Sequence, residues 1–314
     1  MAEDLDSPIS GPTSEQPPPW SQVWQLPVLI LGITLLTVGL VLTSRNKGET
    51  EDFPGKLDEI AQYLTANNLE KAKEEVTFLA DRIGRAAQMD RARFEMYRGD
   101  LTCKEQHASN EDLKQSHEWI HSRYLQSAEL GQHFDALHLQ RWAKTLVALG
   151  REDQALAKVD QITNGPAERR YMVVKEIIQR RRHLMAGDES HQMVPLIERF
   201  VKELEEETDA NRRRKERVWA AGLRAQGLLD AGDSQRAIGY LQKQIARFLD
   251  EDGSATLSEL TVLMGKAHQK MGDFAESERW YLQAQQNLLP ADPINAQVLV
   301  GLGELALAQS DAVR

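Results

Sequence analysis

The chain has 314 residues, of which 27% are charged and only 6% aromatic, with a formal net charge of −10. An acid excess of this size argues against a nucleic-acid binder driven by phosphate neutralisation, and a single cysteine, Cys103, excludes an intrachain disulfide. Ala, Leu, Gln, Glu, Lys and Arg dominate and β-branched runs are few outside one apolar segment, so an all-α chain is predicted.

Residues 1–19 carry Glu3, Asp4, Asp6, Glu15 and the run Pro17-Pro18-Pro19 with almost nothing apolar to bury, which predicts a disordered acidic tail. Residues 20–44 read as a transmembrane helix with its flanks. No residue from Gln16 to Ser44 is charged, and Val23 to Leu42 is apolar and long enough to cross a hydrocarbon core of about 30 Å. Trp20 and Trp24 would sit at one interface, and Arg45 and Lys47 would stop the other. A cleaved signal peptide is the competing reading, but the basic leading region and the A-x-A site are both missing. Because Lys and Arg follow the segment and none precedes it, the expectation is a single-pass membrane protein whose C-terminal side is cytoplasmic. A linker, 45–55, then leads to the last domain, 56–314.

That domain reads as paired helices. Ile60 and Tyr63, a turn at Asn67-Asn68, then Leu69, Ala72, Val76 and Leu79 make the first pair, since Asn tolerates the left-handed conformation that a helix terminus often needs. The second has a helix over Ala86 to Tyr97, a break at Gly99-Asp100, a polar loop near Ala108 to Asn110 and a longer helix over Leu113 to Leu130. Trp142, Ala143, Leu146, Gly150, Ala155, Val159 and Ile162 mark the third pair. The fourth turns at Gly187-Asp188, and the fifth uses Ala225, Leu228, Gly232-Asp233, Ala237 and Leu241. The sixth, Met264-Gly265-x-x-His268-x-x-x-Gly272-Asp273-Phe274-x-x-Ser277-x-x-x-Tyr281-x-x-Ala284, puts large and small residues where two short antiparallel helices would touch. Leu302-Gly303-x-x-Ala306 repeats the opening of that pattern, with Ser310-Asp311-Ala312 at the turn position. This predicts either the N-terminal portion of a longer protein or a last helix that pairs with another chain.

The recurring pattern resembles the tetratricopeptide repeat, with His268 and Ser277 as departures. Spacings of 37, 45, 40 and 38 residues from Gly150 through Gly187, Gly232 and Gly272 to Ser310 exceed the regular period of about 34, so helices are longer or loops inserted. The resemblance implies an α-solenoid, which would follow the single transmembrane helix read from the apolar stretch. It also implies a scaffold that captures a partner protein or peptide, with no enzymatic activity and no cofactor. In that family the first helix of each hairpin lines the inner surface, and the position after the Leu-Gly pair points into the groove. Carried onto this chain, those positions are Lys144, Arg181, Gln226 and Lys266, with Ile177 and Val262 supplying apolar contact. Three cations among the four imply an extended acidic or polar peptide. The family's carboxylate clamp is not reproduced, because the preceding inward positions Gln140, Ile177, Gly222 and Val262 are not basic.

His117-Glu118-Trp119-Ile120-His121 has the form H-E-x-x-H, which resembles zinc metalloproteases and on a helix would set two imidazoles beside a general base. The metzincin continuation fails at Tyr124 and Ser127. A third ligand from Glu129, His133 or His138 would require the chain to fold back. The expected role is a pair flanking a packed Trp119-Ile120, and no catalytic or metal residue is assigned. Two alternatives stand beside the scaffold: a zinc-dependent hydrolase through this motif, and an anchor and repeat segment of a larger enzyme or sensor. The runs Arg180-Arg181-Arg182-His183 and Arg212-Arg213-Arg214-Lys215 are not expected to form patches, because consecutive helical residues point in different directions.

Overall fold

A computed structural model of the chain describes residues 28, 30–37, 52–109, 113–184, 193–251, 257–286 and 288–312. The chain divides into two units, Met1–Lys56 and Leu57–Arg314. In the first, the expectation of a transmembrane helix is corrected: among the described residues no helix is long and apolar enough to cross a membrane. Residues 30–37 are helical, and a run of eight at 1.5 Å per residue covers about 12 Å where about 30 Å is required. The rest of the predicted span except residue 28, which is also helical, lies outside the described residues, as do the tail 1–19 and the linker to residue 51. Membrane localisation and the cytoplasmic assignment rested on that helix and are corrected with it.

From Phe53 onward the described chain is α-helical: α1 Phe53–Thr65, α2 Leu69–Ala80, α3 Gln88–Ser109, α4 Lys114–Glu129, α5 Ala136–Ala148, α6 Glu152–Asp160, α7 Glu168–Leu184, α8 Val194–Leu204, α9 Ala210–Asp230, α10 Ser234–Glu251, α11 Ser258–Lys270, α12 Phe274–Gln286 and α13 Pro293–Ala312. Each odd helix packs on the even helix that follows it from α3 to α12, and α13 packs on α11 and α12. The result is an all-α solenoid of tetratricopeptide-like hairpins.

One turn chemistry closes these helices. At Asn67, Gly131, Gly150, Gly232 and Gly272 the backbone is left-handed, with φ of 56°, 95°, 75°, 77° and 79°. The next N–H then reaches back five residues, as from Asp233 to the Leu228 carbonyl (2.9 Å) and from Asp273 to that of His268 (3.0 Å). Glycine takes this conformation without a Cβ clash. The Asp of each Gly-Asp pair caps the next helix, Asp233 accepting from the Arg236 N–H (3.2 Å) and Asp273 from that of Glu276 (3.4 Å). Sequence and turn therefore agree at 232–233 and 272–273, while Gly187-Asp188 lies outside the described residues.

Gly99-Asp100 behaves differently. The predicted break is absent, and α3 runs unbroken from Gln88 to Ser109. Here the glycine is a socket: a Cβ at Gly99 would come within 2.9 Å of the Tyr124 ring on α4. The same device seats Tyr281 of α12 on Gly265 of α11, again with a 2.9 Å limit. Hydroxyls lock both contacts, Ser127 Oγ donating to the Ala92 carbonyl (2.7 Å) and Ser277 Oγ to that of Gly265 (2.8 Å). Ser277, a departure from the repeat pattern, thus satisfies a cross-helix bond. At the other end, Ser310-Asp311-Ala312 does not form the expected turn, since α13 continues to Ala312.

Candidate functional site

The odd helices form one layer and the even helices the other. Within the odd layer α5 packs on α7, α9 on α11 and α11 on α13. Across α3 to α5, and again across α7 to α9, the link is made by ionic side chains. A groove opens at each of these two places.

The first groove, of about 550 Å³, is lined by Lys104 and His107 of α3, Arg141, Lys144 and Thr145 of α5, and Glu176 of α7, among others. Its volume is in the range of small-ligand and peptide-anchor pockets, roughly 300–1,000 Å³. Lys104 Nζ donates to Asn67 Oδ1 at 3.4 Å, and Lys144 Nζ sits 3.7 Å from Glu176. Three cations, Lys104, Arg141 and Lys144, line the groove with one carboxylate, Glu176, and two of them are paired, Arg141 with Asp100 and Lys144 with Glu176.

Beneath it lies a polar knot. Asp100, 3% exposed, accepts from the Tyr124 hydroxyl at 2.6 Å, from Arg141 Nη1 at 2.9 Å and from His138 Nε2 at 2.9 Å. His138 Nδ1 faces Asp135 at 2.7 Å, so its ring lies between two carboxylates. Burial alone would raise the Asp100 pKa, but His138, Arg141 and Tyr124 outweigh it and hold the carboxyl below its ordinary range. For His138 burial works downward and the two carboxylates prevail, raising its pKa. Burial also pushes the Cys103 thiol up to about 11, so it is a poor nucleophile at neutral pH. Chemically the knot is a clamp: it holds the Arg141 guanidinium at the groove wall and offers no free base or nucleophile.

The second groove, of about 510 Å³, lies between α7 and α9 and is closed by Leu257, next to α11, and Ile294 of α13. Lys175 Nζ is held there by both Glu216 oxygens (2.6 and 2.8 Å) and lies 4.7 Å from the Trp219 ring centroid. Arg214 and Lys215 also line it, beside the carboxylates of Glu216 and Glu259, so its wall is of mixed charge.

Of the six positions carried over from the repeat family, Lys144 alone lines either groove. Arg181 is ion-paired to Glu152 of α6, and Gln226 donates to Asp230 along its own helix at 2.6 Å. Lys266 is partly exposed on α11, away from both grooves. Ile177 is fully buried and Val262 is 1% exposed, so both belong to the core and present no contact area. Motif register places residues relative to a hairpin, whereas the grooves are set by spacing between hairpins. Lys104, Arg141, Lys175 and Trp219 were therefore missed, and only the Gly99-Asp100 pair signalled one of the two places.

The H-E-x-x-H segment lies on α4 as part of the packing. Glu118 takes Arg151 through both oxygens (3.0 and 2.9 Å), and His121 Nδ1 accepts the Trp142 indole N–H at 3.0 Å. Burial and the nearby Arg151 lower the His121 pKa, which favours the neutral ring this bond needs. Among the described residues no group of three or more His, Cys, Asp or Glu is placed to hold a metal ion. The basic runs are largely tied down one residue at a time, Arg180 donating to the Ala148 carbonyl, Arg213 to that of Glu207 and Arg214 to that of Phe248, and Arg212 pairing with Glu168, although Arg214 and Lys215 line the second groove together.

These features define the fold as a tetratricopeptide-like helical solenoid with two grooves along its odd-helix layer. No protein-family model and no curated protein sequence matches the chain. Among solved structures, the apo form of RapI is similar in fold, with a TM-score of 0.50 at 12% identity over 82% of this chain and 72% of that one. The apo quorum sensor NprR from B. thuringiensis aligns with a TM-score of 0.42 at 12% identity over 90% and 78% of the two chains. NprR in complex with its cognate peptide NprX gives 0.30 at 13% identity over 93% and 73%.

Proposed function

We propose that the chain is a binding scaffold that captures an extended, acidic peptide segment along the odd-helix layer, with its anchor in the groove between α3 and α5. The observation that carries this reading is the cationic lining of that groove by Lys104, Arg141 and Lys144 in a chain of net charge −10. Arg141 is fixed from behind by Asp100, so a ligand carboxylate meets a preorganised guanidinium and little side-chain entropy is lost on binding. The second groove adds the Trp219 ring and the cations Arg214 and Lys215 beside the Lys175–Glu216 pair.

The test is selection of random peptides displayed on phage against the full chain. Peptides rich in Asp and Glu are expected, with binding that weakens as salt rises and is lost in Lys104→Glu/Lys144→Glu. Selection of basic or uncharged peptides, or of none, refutes the reading.

A further inference from the structure

Helix α13 is apolar on two sides. One side is buried: Val298 and Leu305 join Val262, Tyr281 and Ala284 in a core cluster, with Ile294 and Leu302 packed against it. The opposite side carries Ala296, Leu299, Val300, Gly303, Ala306, Leu307 and Ser310, all exposed. Leu299, Val300 and Leu307 are 54%, 60% and 69% exposed, and no charged residue lies within this stripe. Gly99, Gly265 and, on the buried side of α13, Gly301 each face an aromatic ring, whereas a Cβ built at Gly303 would meet nothing within 4 Å.

The order of residues on this face says what fits it. Read outward from Gly303, the residues three away are Val300 and Ala306, four away Leu299 and Leu307, and seven away Ala296 and Ser310. The face is close to palindromic in size and polarity. A two-fold contact requires a patch complementary to itself. An antiparallel helix crossing at Gly303 sets Leu299 against Leu307 of the second copy and Val300 against its Ala306, and the two glycines let the axes approach closely. We infer that the chain self-associates as a two-fold dimer through the exposed face of α13, crossing at Gly303.

The contact is small. A helix of 20 residues is about 30 Å long and about 10 Å wide, so its footprint falls below the roughly 800 Å² per partner of a standard interface. Association is therefore reversible and concentration-dependent. Each copy has a net charge of −10, so their repulsion opposes it and added salt strengthens it. That sign is opposite to the one expected for acidic peptide capture, and the two proposals fail independently.

Sedimentation equilibrium of the full chain from about 1 to 200 µM should show the 35.5 kDa species giving way to one of twice that mass, more completely at higher salt. Leu299→Glu/Leu307→Glu should weaken the dimer at least tenfold with an unchanged circular dichroism spectrum, since both side chains are exposed in the monomer. Under mild oxidation Gly303→Cys should cross-link to itself, while Gln297→Cys, exposed off the stripe, should not. A monomer at every concentration overturns the inference and leaves the face to another segment or partner. A dimer that survives the double glutamate variant overturns it in favour of another surface, and a dimer in which Gly303→Cys stays reduced overturns the crossing.

Discussion

Replacing Asp100 tests whether the knot beneath the first groove is structural. The carboxylate is 4% exposed and joins three partners: the Tyr124 hydroxyl at 2.6 Å, His138 at 2.9 Å and Arg141 at 2.9 Å. Asp100→Ala leaves the fully buried Tyr124 phenol with only Cys103 Sγ at 3.8 Å, strips the Arg141 guanidinium of its counter-charge and leaves His138 with Asp135 alone. Removing one member of a buried ion pair costs about 3–5 kcal/mol. Arg141 and His138 keep 24% and 15% exposure, through which water recovers part of the loss, so the lower end, about 3 kcal/mol, is expected. Tyr124→Phe removes one hydrogen bond to a charged group and should cost about 1.5 kcal/mol. The assay is urea unfolding followed by circular dichroism. An Asp100→Ala loss under about 1 kcal/mol, or one smaller than that of Tyr124→Phe, refutes a structural role.

The pH dependence of the same variants has a definite sign. His138 has a raised folded pKa, so its contribution is fully present below its ordinary value of 6.5 and fades as pH rises through the folded value. Asp100 has a lowered pKa, so its contribution is present above its ordinary value of 3.8 and fades as pH falls through the folded value. Between these limits the pair is at full strength. Wild-type stability should therefore decline on the alkaline side of this window, and Asp100→Asn should reduce that decline by removing one of the two carboxylates that hold the proton on His138, Asp135 remaining.

Gly265→Ala forces a Cβ to within 2.9 Å of the buried Tyr281 ring and should destabilise by about 1–3 kcal/mol, with Tyr281→Leu in the same chain recovering part of it; an unchanged urea midpoint would dismiss the socket. Gly272→Ala and Gly239→Ala make a matched pair of opposite sign. The first meets φ of 79° and should cost about 1–2 kcal/mol, whereas the second sits exposed inside α10 with open space around it and should stabilise by about 0.5–1 kcal/mol. Equal effects in urea titrations would mean that backbone conformation does not govern these sites.

Local chemistry was legible in the sequence and inter-hairpin chemistry was not. Gly232-Asp233 and Gly272-Asp273 announce a left-handed residue followed by a helix cap, and both do form that turn. The same dipeptide at Gly99-Asp100 is helical, because its signal can be satisfied in two ways. The glycine is needed for close approach of Tyr124 rather than for positive φ, and the carboxylate is taken by Arg141 and His138, about forty residues on, rather than by the next helix. Likewise the H-E-x-x-H spacing does put its residues on one helix, where Arg151 and Trp142 claim Glu118 and His121. Such partners come from the neighbouring hairpin, and no local spacing encodes them. The terminal helix shows the same limit, since Leu302-Gly303 repeats the first-helix signature while α13 runs through the expected turn to Ala312.

The departures from regular stacking also account for where the grooves lie. Where odd helices pack directly, as between α9 and α11, small and apolar residues such as Gly222, Ala221 and Leu260 meet across the seam. Across α3 to α5 and α7 to α9 the seam is wider and is spanned by ionic side chains, Asp100 with Arg141 and Glu216 with Lys175. A buried ion pair adds little net stability compared with apolar packing of the same volume, so these two seams are weaker than their neighbours. What they retain is a fixed cation at the edge of an open cavity. The loss of packing and the gain of a binding surface are thus one structural fact, and an apolar replacement of the Lys175 and Glu216 pair that filled the seam would be expected to stiffen the solenoid while closing its second groove.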